Sequence, residues 1–203
     1  MRIFLCRHGE TTGDIEDRYG GDYDDQLTDT GIAQSEELAN KLDGFGIKLI
    51  ISSPRIRAKE TAKIISKKLK VKTIISKNLR ERNSYGILTG LVKSEAKIKF
   101  PLEVEKFKKS KLHPGITGTE EYEIFKKRVL AEFESIVSAK KQNIVCVVSH
   151  GGPISCFVRE VLKLGEIKTL DNCAVLEIEI ISGKYNLVAV DGIEFEDGPA
   201  NKK

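Results

Sequence analysis

The hydrophobic and polar positions along the chain follow two different periods. Short apolar runs predict buried β-strands at 3–6, 49–51, 71–75 and 144–148. Apolar residues that recur every three or four positions predict helices over about 30–43, 55–69, 122–137 and 153–162. Strands that alternate with helices are typical of a parallel sheet covered on both faces. We therefore predict an α/β fold, a three-layer α/β/α sandwich with a mostly parallel central sheet.

The C-terminal part of the chain has a different pattern. Two apolar stretches, Ala174–Ile181 and Tyr185–Val190, flank a turn of Ser-Gly-Lys and predict a C-terminal hairpin. Residues 1–191 would then form one domain, followed by a C-terminal tail over 192–203. We also expect the segment of about 91–118 to form a small lid inserted into this domain.

Composition and charge exclude several classes of protein. With 203 residues, 40% of them hydrophobic, the chain can bury a core as one domain. The net charge of +4 does not mark a nucleic-acid-binding protein, and no apolar run has the length of a membrane span. The four cysteines form no CxxC pair, which favours reduced thiols. We predict a cytoplasmic protein without a nucleic-acid or membrane partner, and the sequence leaves the oligomeric state open.

Histidines and arginines follow three of the predicted strands. Arg7 and His8 come after the first strand, Arg57 lies shortly after the second, and His150 follows the strand at 144–148. Side chains at the carboxyl ends of parallel strands meet at one edge of the sheet. Arginine binds phosphate oxygens through paired hydrogen bonds, and histidine can act as nucleophile or proton donor. This collection suits a phosphoryl group better than an acyl group.

Five separated motifs lie between residues 1 and 160. They are Arg7-His8-Gly9-Glu10-Thr11, the segment Leu27–Gln34, the segment Ser52–Ala62, Leu79-Arg80-Glu81, and Ser149-His150-Gly151-Gly152. In order and spacing they resemble the motifs of the histidine phosphatase superfamily, in its phosphoglycerate mutase-like branch. The resemblance implies an enzyme, a phosphomonoesterase of the histidine acid phosphatase type.

The resemblance also implies roles for individual residues. His8 would be the nucleophile that accepts the phosphoryl group. Glu81 would donate a proton to the leaving oxygen and then activate water. Arg7, Arg57 and His150 would surround the phosphoryl oxygens with hydrogen-bond donors and positive charge. No metal or organic cofactor is expected, because arginines supply the charge that Mg²⁺ supplies elsewhere.

Three further positions are candidate phosphate or substrate contacts, namely Asp14, Arg82 and Gly151. Asp14 departs from the family pattern, since many relatives carry asparagine there and an ionised carboxylate cannot donate a hydrogen bond to phosphate. The acidic stretch over 10–29 predicts a long solvated loop. Within it, the oxygens of residues 22–25 could attract a divalent cation, although acidic runs in loops are usually solvated faces.

The predicted lid is basic. Seven lysines and three glutamates lie between Lys93 and Pro114, together with His113. Most of these lysines are expected on a solvated helix face, but a positive lid would still raise the local concentration of anions. We therefore expect a small anionic phosphorylated metabolite as the substrate, such as a sugar phosphate or a phosphoglycerate.

Other activities fit some of these features. A cofactor-dependent phosphoglycerate mutase would use 2,3-bisphosphoglycerate, and an inactive relative would bind a phosphorylated ligand as a sensor. Only 68 residues lie between Glu81 and His150, a shorter cover than mutases usually carry. An incomplete cover admits water, which cleaves phosphohistidine, so we favour the phosphatase. A zinc deaminase would need a P-C-x-x-C helix, and a serine hydrolase a G-x-S-x-G turn, and the sequence contains neither.

Overall fold

The computed structural model describes residues 1–110, 115–139 and 142–196, and these contain one six-stranded β-sheet. The strands are β1 (Arg2–Arg7), β2 (Leu49–Ser52), β3 (Lys72–Ile75), β4 (Ile144–Ser149), β5 (Ile167–Ile181) and β6 (Lys184–Phe195). The helices are α1 (Thr12–Ile15), α2 (Asp29–Leu42), α3 (Ile56–Leu69), α4 (Lys93–Lys99), α5 (Pro101–Lys109), α6 (Tyr122–Ser138) and α7 (Gly151–Phe157). Short 3₁₀ turns lie at Lys77–Leu79 and Gly86–Leu88, and a π-helical turn follows α7 at Val158–Leu162.

The sheet is mostly parallel, as predicted. Its strand order is β3-β2-β4-β1-β5-β6, and the first four of these strands run parallel to one another. β5 and β6 extend the sheet as an antiparallel hairpin beside β1. Arg7 at the end of β1 lies opposite Ser149 of β4, and Ser52 of β2 lies opposite Val148. The carboxyl ends of three strands therefore lie side by side.

Helices cover both faces of the sheet, which confirms the three-layer prediction. Successive side chains of a strand point to opposite faces. Ile3 and Leu5 of β1 accordingly join an apolar cluster with Phe125 of α6. Phe4, between them, joins a second cluster with Leu38 of α2. Because both faces of the central strands are buried, these strands appear in the sequence as continuous apolar runs.

The C-terminal hairpin is longer than predicted. β6 ends at Phe195, so the sheet extends beyond residue 191, where we placed the end of the domain. The sequence Asp191-Gly192 is typical of a turn, but here both residues lie within β6. Gly192 has a φ of +69° and lies beside an irregularity in the pairing of β5 and β6. Of the predicted tail, residues 197–203 lie outside the described residues.

One predicted helix begins earlier than expected. α7 starts at Gly151, two residues before Pro153, and changes to π-helical winding at Val158. Proline is tolerated in the first turn of a helix because its missing N–H has no partner there. The motif glycines therefore belong to the helix that follows β4.

The predicted lid folds as α4 and α5, which meet at Phe100. These helices pack over a small separate core that includes Tyr19, Leu88 and Val104. Several lid lysines pair with glutamates of their own helix, as expected for a solvated face: Lys99 with Glu95, Lys106 with Glu103, and Lys108 with Glu105. His113 lies in the segment 111–114, outside the described residues.

The acidic stretch over 10–29 is not the solvated loop that its charge predicts. It contains α1, and the side chains of Tyr19 and Leu27 are buried. The Asp25 carboxylate is almost buried as well, because it forms an ion pair with Arg57. Arginine partners thus allow part of this acidic stretch to fold against the domain.

The described residues contain no helix that is both long and apolar enough to cross a membrane. All four cysteines are free thiols, as predicted. Cys6 and Cys146 lie on the adjacent strands β1 and β4 with their Sγ atoms 3.8 Å apart.

Candidate active site

Three neighbouring strands bring polar side chains to one edge of the sheet. His8 follows β1, Ser53 follows β2, and His150 follows β4. The His8 N–H donates to the Ser149 carbonyl over 3.2 Å, and the Ser53 N–H donates to the Val148 carbonyl over 2.9 Å. These bonds continue the pairing of the strands beyond their ends. Because all three side chains are also buried, the sheet fixes their positions.

The hydrogen bonds of His8 define its tautomer. Its Nδ1 lies 2.8 Å from the Gly9 carbonyl oxygen, which can only accept, so Nδ1 carries the proton. Nε2 therefore has a lone pair, to which Arg57 Nε donates over 3.1 Å. Burial, and then the charges of Arg57 and Arg7, lower the pKa of His8 well below its usual 6.5. His8 is thus a neutral imidazole with an unprotonated Nε2.

His150 lies opposite His8, with Arg57 between the two rings. The ring centroids are 5.1 Å apart, and Arg57 Nε also donates to His150 Nδ1 over 3.2 Å. The neutral ring then donates from Nε2 to Ser53 Oγ, 2.6 Å away. Burial and the charge of Arg57 lower the pKa of His150 well below 6.5. A phosphate dianion bound here would have the opposite effect and favour the protonated ring.

Sequence reasoning missed Asp25 as the partner of Arg57. Arg57 Nη1 donates to Asp25 Oδ1 over 2.7 Å, and only 4% and 7% of the two side chains are exposed. Arg57 also donates to the carbonyls of Tyr23 and Gly21, over 2.7 Å and 3.0 Å. Its Nη groups are therefore anchored to this loop, and its Nε faces the two histidines. The acidic stretch holds eight carboxylates, and the pattern alone cannot single out one of them.

Arg7 and His8 are both held by β5. Arg7 Nη1 donates to the Leu170 carbonyl, and the Cys173 N–H donates to the His8 carbonyl over 3.1 Å. Arg7 Nε is buried and has no hydrogen-bond partner among the described residues. A buried cationic donor without an acceptor is costly, so this atom favours binding of an anion.

The Glu81 carboxylate accepts hydrogen bonds from two backbone N–H groups. The Arg82 N–H donates to Oε1 over 2.7 Å, and the Gly152 N–H donates to Oε2 over 3.0 Å. A Cβ atom at position 152 would lie 2.1 Å from Oε1. Glycine is therefore required at this position for the carboxylate to approach α7, which gives the second glycine of the motif a physical role.

The two arginines that flank Glu81 have different surroundings. Arg80 pairs with Asp22 over 3.3 Å, away from the residues that line the cleft. Arg82 is buried, lies 5.3 Å from the centre of the Tyr122 ring, and lines the cleft. Of the two arginines, Arg82 is therefore the one in reach of a substrate.

Asp14 forms a helix cap. Its Oδ2 accepts from the Thr11 N–H over 2.9 Å and from the Thr11 hydroxyl over 3.0 Å. In return, Thr11 Oγ accepts from the Asp14 N–H over 3.2 Å. Such a reciprocal capping box needs an acceptor oxygen at this position, which a carboxylate supplies. The exposed Asp14 also lines the cleft.

The site opens into one cleft of about 520 Å³. Seven of the eight predicted site residues line it, and the eighth, His150, is completely buried and joined to the others through Arg57. Lys93 of the predicted basic lid lines the cleft too. Sequence reasoning missed the other aromatic and basic side chains of the lining: Tyr23, Tyr85, Phe107, Tyr122, Phe125, Arg18 and Arg159.

The carboxylates at 22–25 bind protein groups. Asp22 pairs with Arg55 over 2.6 Å, and Asp24 accepts from the Ile56 N–H over 2.9 Å. Over the described part of the chain, no three His, Cys, Asp or Glu side chains form a group that could hold a metal ion.

Comparison with known proteins shows the family of this chain. The family model of the histidine phosphatase superfamily, branch 1, matches residues 3–191. The protein belongs to the histidine phosphatase superfamily. This confirms the family predicted from the five motifs, and the chain is an enzyme of this type. Curated relatives named "Probable phosphoglycerate mutase GpmB", from Escherichia coli O1:K1 and Shigella boydii serotype 18, are 29% and 28% identical to it over 187 residues. These cover 88% of this chain and 85% of theirs.

Solved structures share the fold of this histidine phosphatase. YhfR from Bacillus stearothermophilus has a TM-score of 0.84 at 24% identity, covering 94% of this chain and 96% of its own. An alpha-ribazole phosphatase from Shigella flexneri has a TM-score of 0.81 at 22% identity, with coverages of 94% and 96%. A mycobacterial glucosyl-3-phosphoglycerate phosphatase has a TM-score of 0.78 at 22% identity, with coverages of 93% and 97%.

The low pKa values of His8 and His150 predict that acid destabilises the fold. Both rings are neutral in the folded enzyme, whereas in the unfolded chain they bind protons below about pH 6.5. Below this pH the unfolded state binds more protons than the folded state. The free energy of unfolding should therefore decrease as the pH is lowered, by up to about 1.4 kcal/mol per pH unit for each ring. Urea denaturation in phosphate-free buffer from about pH 8 to 5 measures this slope.

A His150→Asn variant provides the comparison. It lacks one of the two buried rings, so its free energy of unfolding should depend less steeply on pH over the same range. An unchanged slope would contradict the assignment of a neutral His150 to the folded state.

Proposed function

We propose that this histidine phosphatase is a metal-independent phosphomonoester hydrolase that acts through a phosphohistidine at His8. The observation that carries the proposal is the neutral His8 ring, whose Nε2 lone pair lies beside Arg57 in the cleft. Attack on phosphorus requires such a lone pair. The bond from Nδ1 to the Gly9 carbonyl places the proton of the neutral ring on Nδ1, while burial and the charges of Arg57 and Arg7 lower the pKa of the ring and keep it neutral.

In the first step, His8 Nε2 attacks phosphorus and the ester P–O bond breaks. Arg7 Nε, Arg57 Nε and a protonated His150 donate hydrogen bonds to the equatorial phosphoryl oxygens. These oxygens carry the negative charge of the transition state, so donors fixed in place before the reaction lower the barrier most. The arginines remain charged throughout, which makes a metal ion unnecessary in this proposal.

Glu81 is proposed as the acid and then the base. Its carboxyl group gives a proton to the leaving oxygen as the alcohol departs, which leaves a carboxylate. That carboxylate takes a proton from water as the water oxygen attacks phosphorus, and the P–N bond breaks to release phosphate and neutral His8. Each turnover therefore returns both side chains to their starting forms.

The cleft supports a small anionic metabolite as the substrate. Its volume of about 520 Å³ is typical of small-molecule sites. Arg82, Arg159 and Lys93 line it beyond the phosphate site, so a second acidic group would meet positive charge. The aromatic side chains of the lining can pack against a carbon skeleton. Arg159 and Lys93 also pair with Glu166 and Asp17, so a second acidic group would compete with these carboxylates for them.

The alternative is a phosphoglycerate mutase, a name carried by the curated relatives. A mutase would keep the phosphoryl group on His8 and return it to another oxygen of phosphoglycerate. It would therefore depend on 2,3-bisphosphoglycerate to phosphorylate the enzyme.

A substrate panel distinguishes these activities. It contains p-nitrophenyl phosphate, several sugar phosphates and 3-phosphoglycerate, each assayed with EDTA and with or without 2,3-bisphosphoglycerate. We expect phosphate release that neither EDTA nor omission of the bisphosphate reduces. Interconversion of phosphoglycerates that depends on the bisphosphate would instead identify a mutase. Binding of phosphorylated ligands without turnover would identify a sensor.

A further inference from the structure

We propose that Arg128 is a positioning residue that holds the segment carrying Glu81 in place for proton transfer. The proposal rests on the acid role proposed above for Glu81. Arg128 lies in the second turn of α6, and 9% of its side chain is exposed. Nothing in the sequence marks it, because it follows Lys126 and Lys127 in a stretch typical of a solvated helix face.

Arg128 uses all five of its N–H donors on this segment and on Glu120. Nη1 donates to the carbonyls of Asn78 and Arg80, over 2.6 Å and 2.8 Å. Nη2 donates to the Glu81 carbonyl over 3.0 Å and to Glu120 Oε2 over 2.7 Å. Nε donates to Glu120 Oε1 over 2.7 Å. A lysine has only three donors on one atom and cannot reproduce this set.

The segment that Arg128 binds has little regular structure of its own. Its 3₁₀ turn ends at Leu79, and Glu81 lies beyond that turn, outside any helix or strand. The Leu79 carbonyl accepts from Ser149 Oγ over 2.8 Å. All four carbonyls at 78–81 are thus bound by side chains from α6 or β4. The backbone position of Glu81 therefore depends on these contacts rather than on a helix or a sheet.

Glu120 orients Arg128 in turn. Its carboxylate is 11% exposed and also accepts from Arg80 Nη2 over 3.1 Å. Burial alone would raise the pKa of Glu120, but the hydrogen bonds and charges of Arg128 and Arg80 lower it instead. Both partners of the pair are therefore charged at neutral pH, and the two parallel bonds fix the plane of the guanidinium.

Proton transfer is sensitive to the position of the acid. A displacement of about 1 Å can cost on the order of 100-fold in rate. Loss of Arg128 should displace Glu81 while His8 and Arg57 keep their places, because other elements hold them. Alkyl esters need a protonated leaving oxygen, whereas p-nitrophenolate leaves without one. The defect should therefore depend on the leaving group.

The test compares Arg128→Lys and Arg128→Met with Arg80→Met. The Arg80 variant removes an arginine from the same Glu120 but keeps the backbone contacts of Arg128. kcat/KM is measured for glycerol 3-phosphate and p-nitrophenyl phosphate, because it reports the formation of the phosphoenzyme. In both Arg128 variants we expect roughly a 10- to 100-fold loss on the alkyl ester and less than about threefold on the aryl ester. Arg80→Met should change neither by more than about twofold.

Glu81→Gln is measured alongside, so that the two proposals can fail separately. If Glu81→Gln slows the alkyl ester more than the aryl ester but both Arg128 variants slow the two esters equally, the positioning role is wrong. If Glu81→Gln lowers kcat/KM equally on the two esters, the acid role is wrong and the positioning role fails with it. A double variant that combines Glu81→Gln and Arg128→Lys should be no slower on the alkyl ester than Glu81→Gln alone. Additive losses would also contradict the proposal. Arg128→Lys keeps the test usable if Arg128→Met does not fold.

Discussion

Replacement of His8 by asparagine should abolish turnover and the acid-labile phosphoenzyme together. The side chain of asparagine is polar but does not reach the position of Nε2, and its amide nitrogen cannot attack phosphorus. The remaining arginines can bind phosphate without forming the intermediate, so we expect kcat to fall by at least about 10⁴-fold. Steady-state hydrolysis of p-nitrophenyl phosphate measures turnover. Rapid quenching with a ³²P-labelled substrate measures the phosphoenzyme.

His150→Asn is the matched comparison, because it makes the same change on the neighbouring ring. It removes a donor to the transition state but keeps the nucleophile. We expect a loss of about 10²- to 10³-fold in kcat, with a phosphoenzyme that can still be trapped. Undiminished hydrolysis by His8→Asn would exclude His8 as the nucleophile.

Replacement of Glu81 by glutamine should separate substrates by their leaving groups. Glutamine has nearly the same shape but cannot transfer a proton. We expect kcat/KM for alkyl phosphates to fall by about 10²- to 10⁴-fold, and that for p-nitrophenyl phosphate by less than about tenfold. A series of phosphate esters whose leaving groups span a wide range of pKa measures this dependence directly.

Asp14→Asn controls for the loss of a carboxylate from the cleft. It makes the same chemical change on another acidic residue of the lining, and Asp14 caps α1 instead of contacting Glu81. Its effect should therefore be the same for alkyl and aryl esters. Equal losses in Glu81→Gln on both classes of ester would argue against the acid role.

The sequence was sufficient for the features that depend on strand ends. His8 and His150 each follow a continuous apolar run, and such runs predict central strands of a sheet covered on both faces. Since parallel strands place their carboxyl ends at one edge, the meeting of these residues with Arg57 followed from the pattern. The structure confirms this meeting.

Contacts with backbone atoms were beyond the reach of the sequence. The Leu170 carbonyl that binds Arg7 and the carbonyls that bind Arg128 are chemically identical to those of every other residue. Asp25 has a distinctive side chain, but seven other carboxylates surround it in the same stretch. Which of them reaches Arg57 depends on how the loop folds back over α3.

The order of the strands also determines when the site can exist during synthesis. β4 lies between β1 and β2, although it is made long after both. Arg57 and His150, which meet through one hydrogen bond, are 93 residues apart in the chain. Closing so long a loop costs conformational entropy, and only the contacts of the completed sheet offset this cost. A nascent chain that has already exposed His8, Arg57 and Glu81 on the ribosome therefore has no assembled site until β4 and His150 have emerged.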